Sequence, residues 1–188
     1  MGKTYEKLDE KLIAFIEKQK MFFVATAPLS DQGHVNLSPK GYDSFRILDD
    51  HTVAYLDLGG SGIETLAHLK ENGRITIMFC AFEGKANILR LYGHGTAVSF
   101  DEPGFEEAMA QFPDYDKARS IITIKLTSLH DSCGWSVPFY RYERDRDQLK
   151  RYMDNFTLED WKAHRLRTNA TSIDGLEGLT PPTNTKTT

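Results

Sequence analysis

Apolar and polar residues change period several times along the chain, and each change marks an element. Residues 5–19 set Leu8, Leu12, Ile13, Phe15 and Ile16 among charges at helical spacing, which predicts an amphipathic helix. The apolar run from Met21 to Ala27 is short enough for a buried strand. Turn chemistry at Pro28-Leu29-Ser30-Asp31-Gln32-Gly33 leads into a second strand, His34–Ser38, so the two predict a hairpin. A further strand is expected at 52–57, where Thr52-Val53-Ala54-Tyr55-Leu56 is β-branched and aromatic. Leu66 and Leu69 then fall at helical spacing before Asn72-Gly73 stops the helix. Arg74–Cys80 alternates, with Ile75, Ile77 and Phe79 on one face. Asn87–Ser99 reads as a long strand bent or closely approached at Gly93 and Gly95. A helix is expected over 102–112, between Pro103 and Pro113, followed by strands at Ser120–Leu126 and Val137–Tyr142. The charged 145–165 region reads as helical, with Leu149, Tyr152, Met153 and Trp161 as docking residues. Thr168–Leu176 reads as a polar loop, and the hydrophobe-free Pro181–Thr188 as disordered. Six or seven strands with short intervening helices fit a mainly β, closed antiparallel barrel better than a parallel sheet.

The 188 residues suit one barrel domain over 20–142, with a helix at 1–19 packed on it. A helical extension over 143–179 and a disordered tail at 180–188 complete the division. A net charge of -4 lacks the basic footprint of a nucleic-acid binder, and no run of eighteen apolar residues points to a membrane span. The N-terminus opens on a charged amphipathic segment and not on a signal peptide. Cys80 and Cys133 are far apart, which predicts free thiols in a cytoplasmic protein. The six histidines show no paired ligand spacing, so no metal site is expected.

Candidate chemistry concentrates at Gly59-Gly60-Ser61-Gly62-Ile63-Glu64-Thr65, between the strand at 52–57 and the helix after it. Glycines there let a ligand approach the backbone, and free N–H groups at a helix start favour an anion. A tight turn with Ser61 as the helix cap fits the same residues. Neither a dinucleotide fingerprint nor a P-loop is present. Arg90 lies inside the apolar strand Ile88-Leu89-Arg90-Leu91, where it either faces solvent or reaches an anion in a site. Cys133-Gly134-Trp135 offers either an indole for stacking or a core Trp beside a turn.

The succession of these parts resembles the FMN-binding split barrel of the pyridoxamine 5′-phosphate oxidase-like superfamily over roughly residues 20–130. The resemblance rests on Val35-Asn36-Leu37-Ser38-Pro39-Lys40-Gly41-Tyr42, on Tyr55-Leu56-Asp57 running into Gly60–Thr65, and on Asn72–Phe79 and Asn87–Gly95. Ser132–Pro138 and Asn169–Leu176 are similar to the branch described only as oxidase-related. The resemblance implies a six- to seven-stranded antiparallel split barrel that binds FMN between the subunits of a homodimer. Carried over by position, Lys40 would lie near the flavin and its phosphate, while Asn36 and Ser38 would offer hydrogen bonds to the pyrimidine edge. Gly41 and Asp57, which flank that strand and the cradle, would belong to the cofactor-binding set as well. Ser61, Gly62, Ile63 and Thr65 would hold the phosphate, Arg90 would reach a charge in the site, and Trp135 would stack from the partner subunit. The expected function is a flavin-dependent oxidoreductase of unidentified substrate, with no side chain singled out as acid or base. A non-catalytic flavin- or haem-binding protein, with His34 or His94 as axial ligand, is the other expectation. Two departures set vitamin B6 oxidation apart. Val35 stands near the place where such oxidases carry Arg, and the C-terminal segment lacks their Trp- and Arg-containing finish.

Overall fold

The computed structural model describes residues 2–180. One antiparallel sheet carries eight strands: β1 (Thr4–Tyr5), β2 (Phe22–Thr26), β3 (Asn36–Lys40), β4 (Phe45–Asp49), β5 (Thr52–Asp57), β6 (Arg74–Cys80), β7 (Ile88–Ser99) and β8 (Ser120–Ser132). Their spatial order is β3-β2-β6-β7-β8-β5-β4, with β1 beside β8. The helices are α1 (Glu10–Glu17), α2 (Glu64–Asn72), α3 (Phe105–Met109), α4 (Gln148–Asp154) and α5 (Leu158–Thr168). The sheet curls on itself. Phe22 of β2 lies 5.1 Å from Phe45 of β4 and 5.7 Å from Tyr55 of β5, although those strands stand near opposite ends of the order. Among the described residues β3 and β4 pair with no strand on their outer edges, so the barrel is split along a seam.

Alternation on the strands builds two cores. Inward residues such as Val24, Ile77, Leu89 and Leu129 fill the barrel, and Leu12 and Ile16 of α1 close it. Each such side chain contributes roughly 1.5–3 kcal/mol of apolar burial. A second cluster, centred on Leu56, Ile63, Phe112, Ile121 and Trp161, packs the helices against the outer side of β5 and β8. β5 is buried along its whole length because Val53 and Tyr55 face one core while Ala54 and Leu56 face the other. Its continuous apolar run has that cause.

The hairpin expected from residues 21–38 forms as β2 and β3, with Val24 opposite Ser38. Elsewhere the structure corrects the sequence reading. Val137–Tyr142 makes no strand: Pro138 has no N–H to donate, and the Tyr140 amide bonds only the Phe82 carbonyl, at 2.9 Å. The strand expected to end at Leu126 instead runs to Ser132 along β7, through a bulge at Tyr92/Gly93. The helix expected over 5–19 begins at Glu10, where Asp9 accepts from the Leu12 amide, and Thr4–Tyr5 is drawn onto β8. That expected over 102–112 shrinks to α3, and the one over 145–165 breaks before Thr157, which caps α5. The expected tail at 181–188 lies outside the described residues.

Candidate functional site

Three polar side chains of β3 face into the seam. Asn36, Ser38 and Lys40 lie opposite Thr26, Val24 and Phe22, which point inward, while Leu37 and Pro39 alternate outward. Across the gap stand α2 and the end of β5. Asn36 Nδ2 donates to Thr65 Oγ1 at 3.0 Å, and Ser38 Oγ donates to Asn36 Oδ1 at 3.1 Å. Thr26 Oγ1 meets His68 Nδ1 at 2.9 Å, and the buried His68 Nε2 has no partner among the described residues. Burial lowers the His68 pKa against the fields of Asp174, Glu64 and Glu71, which keeps the imidazole neutral.

Further along the seam, Lys40 Nζ reaches Asp57 Oδ1 at 3.3 Å. Arg119 grips the other oxygen of Asp57 through Nε at 2.9 Å and Nη2 at 2.7 Å. Both partners of that second pair are buried. Burial would push the Asp57 carboxyl up, but the charges of Arg119 and Lys40, with hydrogen bonds from Arg119 and the Gly59 amide, hold it well below the usual carboxylate range. Arg165, also buried, adds a third cation that binds the Gly60 carbonyl at 2.8 Å. Lys40, Arg119 and Arg165 thus gather around Asp57, while the half-buried Glu64 stands beside the loop.

The loop between β5 and α2 turns at Gly59, whose φ of 79° suits glycine. Its next three carbonyls are all held from one side. Gly60 O accepts from Arg165 Nη1 and Asn169 Nδ2, Ser61 O from Asn169 Nδ2 at 3.2 Å, and Gly62 O from Arg119 Nη1 at 2.6 Å. A trans peptide points its N–H opposite to its C=O. The amides of Ser61, Gly62 and Ile63 therefore face away from the arginines, and they bond no described residue. Ile63 occupies the N-cap of α2 and supplies no side-chain cap, so Ser61 is not the cap that a plain turn would make of it. Three amides without partners among the described residues at an uncapped helix start are the arrangement that suits an anion. The Glu64 carboxylate beside Gly62 is turned to the Ile173 amide, at 3.2 Å.

Asn36, Ser38 and Thr65 thus converge, Lys40 joins Asp57, and Ser61, Gly62 and Ile63 form the loop. Gly41 lies just beyond Lys40, its carbonyl accepting from Ser44 Oγ at 2.7 Å. Two candidates are not brought in within one chain. Arg90 points outward from β7 between Met78 and His130, with Nη1 donating to Ser132 Oγ at 3.1 Å; strand alternation puts it on the face opposite Lys40. Trp135 is 85% exposed after β8, not a core residue. His94 is exposed on the outer face opposite Arg74. Arg119, Arg165, Asn169, Thr26 and His68 carry no signal in the sequence that singles them out. An aspartate ending a buried strand does call for a cation, but nothing local says which one.

A curled antiparallel sheet split along the β3–β4 seam, with helices packed on its outer side, defines the split-barrel class. The family model of pyridoxamine 5′-phosphate oxidase matches residues 8–133, and the chain belongs to that family. It is 34% identical over 194 residues to the pyridoxamine 5′-phosphate oxidase family protein ustO of Aspergillus flavus, covering 93% of this chain and 77% of that protein. Among solved structures it is similar in fold to a histidine-to-alanine variant of HupZ from Group A Streptococcus. The TM-score is 0.54 at 21% identity, over 66% of this chain and 98% of that one. A candidate pyridoxamine 5′-phosphate oxidase from Lactobacillus delbrueckii matches with a TM-score of 0.50 at 13% identity, over 66% and 94% of the two chains.

Proposed function

We propose that the protein binds FMN along the β3 seam and works as a flavin-dependent oxidoreductase on a small organic substrate. The observation that carries this reading is the orientation of the Gly60–Ile63 peptides. Their carbonyls are turned to Arg119, Arg165 and Asn169, leaving the Ser61, Gly62 and Ile63 amides for a phosphate. Membership of the oxidase family supports a flavin as the ligand. Lys40 lies between that cradle and the unpaired edge of β3, where it can leave Asp57 to Arg119 and meet an anion. Asn36 and Ser38 offer amide and hydroxyl groups to the edge of a ring. A flavin bound there supplies hydride or single-electron transfer. This chain's residues hold it, orient it and balance its charge. Val35, exposed and apolar near the place of an arginine, leaves the oxidation of pyridoxamine 5′-phosphate outside the proposal. The site pairs with a second copy of the chain, which brings Arg90 and Trp135 to it.

The test is a visible spectrum of the purified protein before and after heat release, with FMN and riboflavin titrated into flavin-free protein. A flavin spectrum and tighter binding of FMN support the proposal. Protein that stays colourless with both overturns it. One observation favours haem as the other ligand. Asp174 holds His34 through Nδ1 at 2.6 Å, the way a ligating imidazole is oriented, and leaves that side chain 71% exposed. A Soret band lost in His34→Ala would decide for haem.

A further inference from the structure

We infer that the C-terminal segment positions the phosphate cradle, with Asn169 and Arg165 acting on the peptide planes of the Gly60–Ile63 loop. The inference rests on the flavin reading for the identity of the ligand, but not for the geometry. Both residues lie beyond residue 133, where the match to the family model ends.

Asn169 follows the last turn of α5 and is fully buried. Its Oδ1 accepts from Arg119 Nη1 at 3.0 Å, which ties it to the Asp57 pair. Its Nδ2 lies 3.4 Å from Gly60 O and 3.2 Å from Ser61 O. Arg165, one turn earlier, adds its own bond to Gly60 O, and its buried Nε has no partner among the described residues. Two successive carbonyls of the loop are thus pinned from α5, and a third, Gly62 O, from Arg119. Planarity transmits this to the far side: fixing the carbonyls of Gly60 and Ser61 fixes the direction of the Ser61 and Gly62 N–H groups.

The segment is itself anchored. Leu179 N bonds Asn169 O and Gly178 N bonds Ala170 O, each at 2.8 Å, and Lys70 of α2 donates to Gly178 O. Leu179 is buried in the outer core. The 169–179 segment therefore folds back on the loop as a clasp. None of its side chains needs to touch the phosphate: Asn169 and Arg165 are positioning residues that act through the backbone.

The test compares FMN with riboflavin, which differ by the phosphate alone, in flavin-free wild type and in Asn169→Ala. The expected result is FMN affinity weakened about tenfold, as for the loss of one to two hydrogen bonds, with riboflavin affinity unchanged. Arg165→Lys, which keeps the charge but loses the planar fork, is expected to go the same way and serves if the alanine variant does not fold. Equal loss for both ligands would mean a general structural role, and unchanged FMN affinity would mean no role; either overturns the inference. Inorganic phosphate titrated into ¹⁵N-labelled protein separates this from the flavin reading. Amide shifts at Ser61, Gly62 and Ile63 that vanish in Asn169→Ala support the positioning role even if no flavin binds. Shifts identical in wild type and variant, or absent from wild type, overturn it.

Discussion

Asp57 is the most deeply buried acid among the described residues. It is 1% exposed and ionised, and it stays so because Arg119 offers a two-pronged grip and Lys40 a third contact. Removing one partner of a buried pair leaves a charge without compensation, a cost of about 3–5 kcal/mol. Arg119→Met should therefore lose stability on that scale in urea unfolding, and adding Asp57→Asn should recover part of it. A loss under about 1 kcal/mol would contradict the buried pairing. The same pair sets a pH window. With its folded pKa held below the unfolded value of about 3.9, Asp57 contributes stability that is complete above about pH 5 and drains as the pH falls through 4 and below. Asp57→Asn should flatten that acid limb, and an unaltered limb would assign it to other carboxylates. Lys40 differs because its side chain is 23% exposed and Arg119 can hold Asp57 alone. Lys40→Ala combined with Ser61→Ala should weaken FMN binding at little cost to the fold. Unchanged affinity would place the phosphate elsewhere.

At the level of elements, the packing of residues 169–179 on the loop can be probed without touching a charged group. A Cβ on Gly178 would collide with the Asn169 carbonyl and come within 2.8 Å of Ile63 Cγ1. Gly178→Ala should therefore lift the segment locally. Hydrogen exchange should speed up at Asn169–Leu179 and Gly60–Ile63 while the β6–β8 amides keep their protection; a uniform change would show that the segment is part of the global fold. Strands are legible in the sequence where residues alternate, as at Arg74–Cys80, or form a short apolar run, as at Phe22–Thr26. β4 is not, because its half-buried residues carry no clear period. Val137–Tyr142 misleads because aromatic and β-branched residues signal a strand whether or not a partner edge exists. The loop glycines and Asp57 stand out locally. Their partners do not, since Arg119 lies 62 residues from Asp57, and Arg165 lies 105 from Gly60. No local pattern encodes a pairing over such a separation.

For the whole molecule, the surface of one chain argues for a second. Leu37 on the outer face of β3 is 62% exposed, and the segment after β8 exposes Trp135, Phe139 and Tyr140. Beside it, Phe82 stacks on Tyr140 at 5.4 Å, an aromatic surface left in water by a single chain. Pairing would cover these residues and could set Trp135 against the partner's seam. Light scattering should then give twice the chain mass at micromolar concentration. The two tryptophans make a second readout, because Trp161 is fully buried and any quencher-accessible emission belongs to Trp135. In a dimer Trp135 should resist acrylamide, and dilution should expose it as the mass halves. A single-chain mass with freely quenched Trp135 would sink the dimer. Bound flavin sharpens the outcome: release in step with the halving of mass would mean that the partner completes the site. Flavin retained by the lone chain would put every necessary contact on the β3 seam and its clasp, leaving Arg90 and Trp135 without a part in holding it.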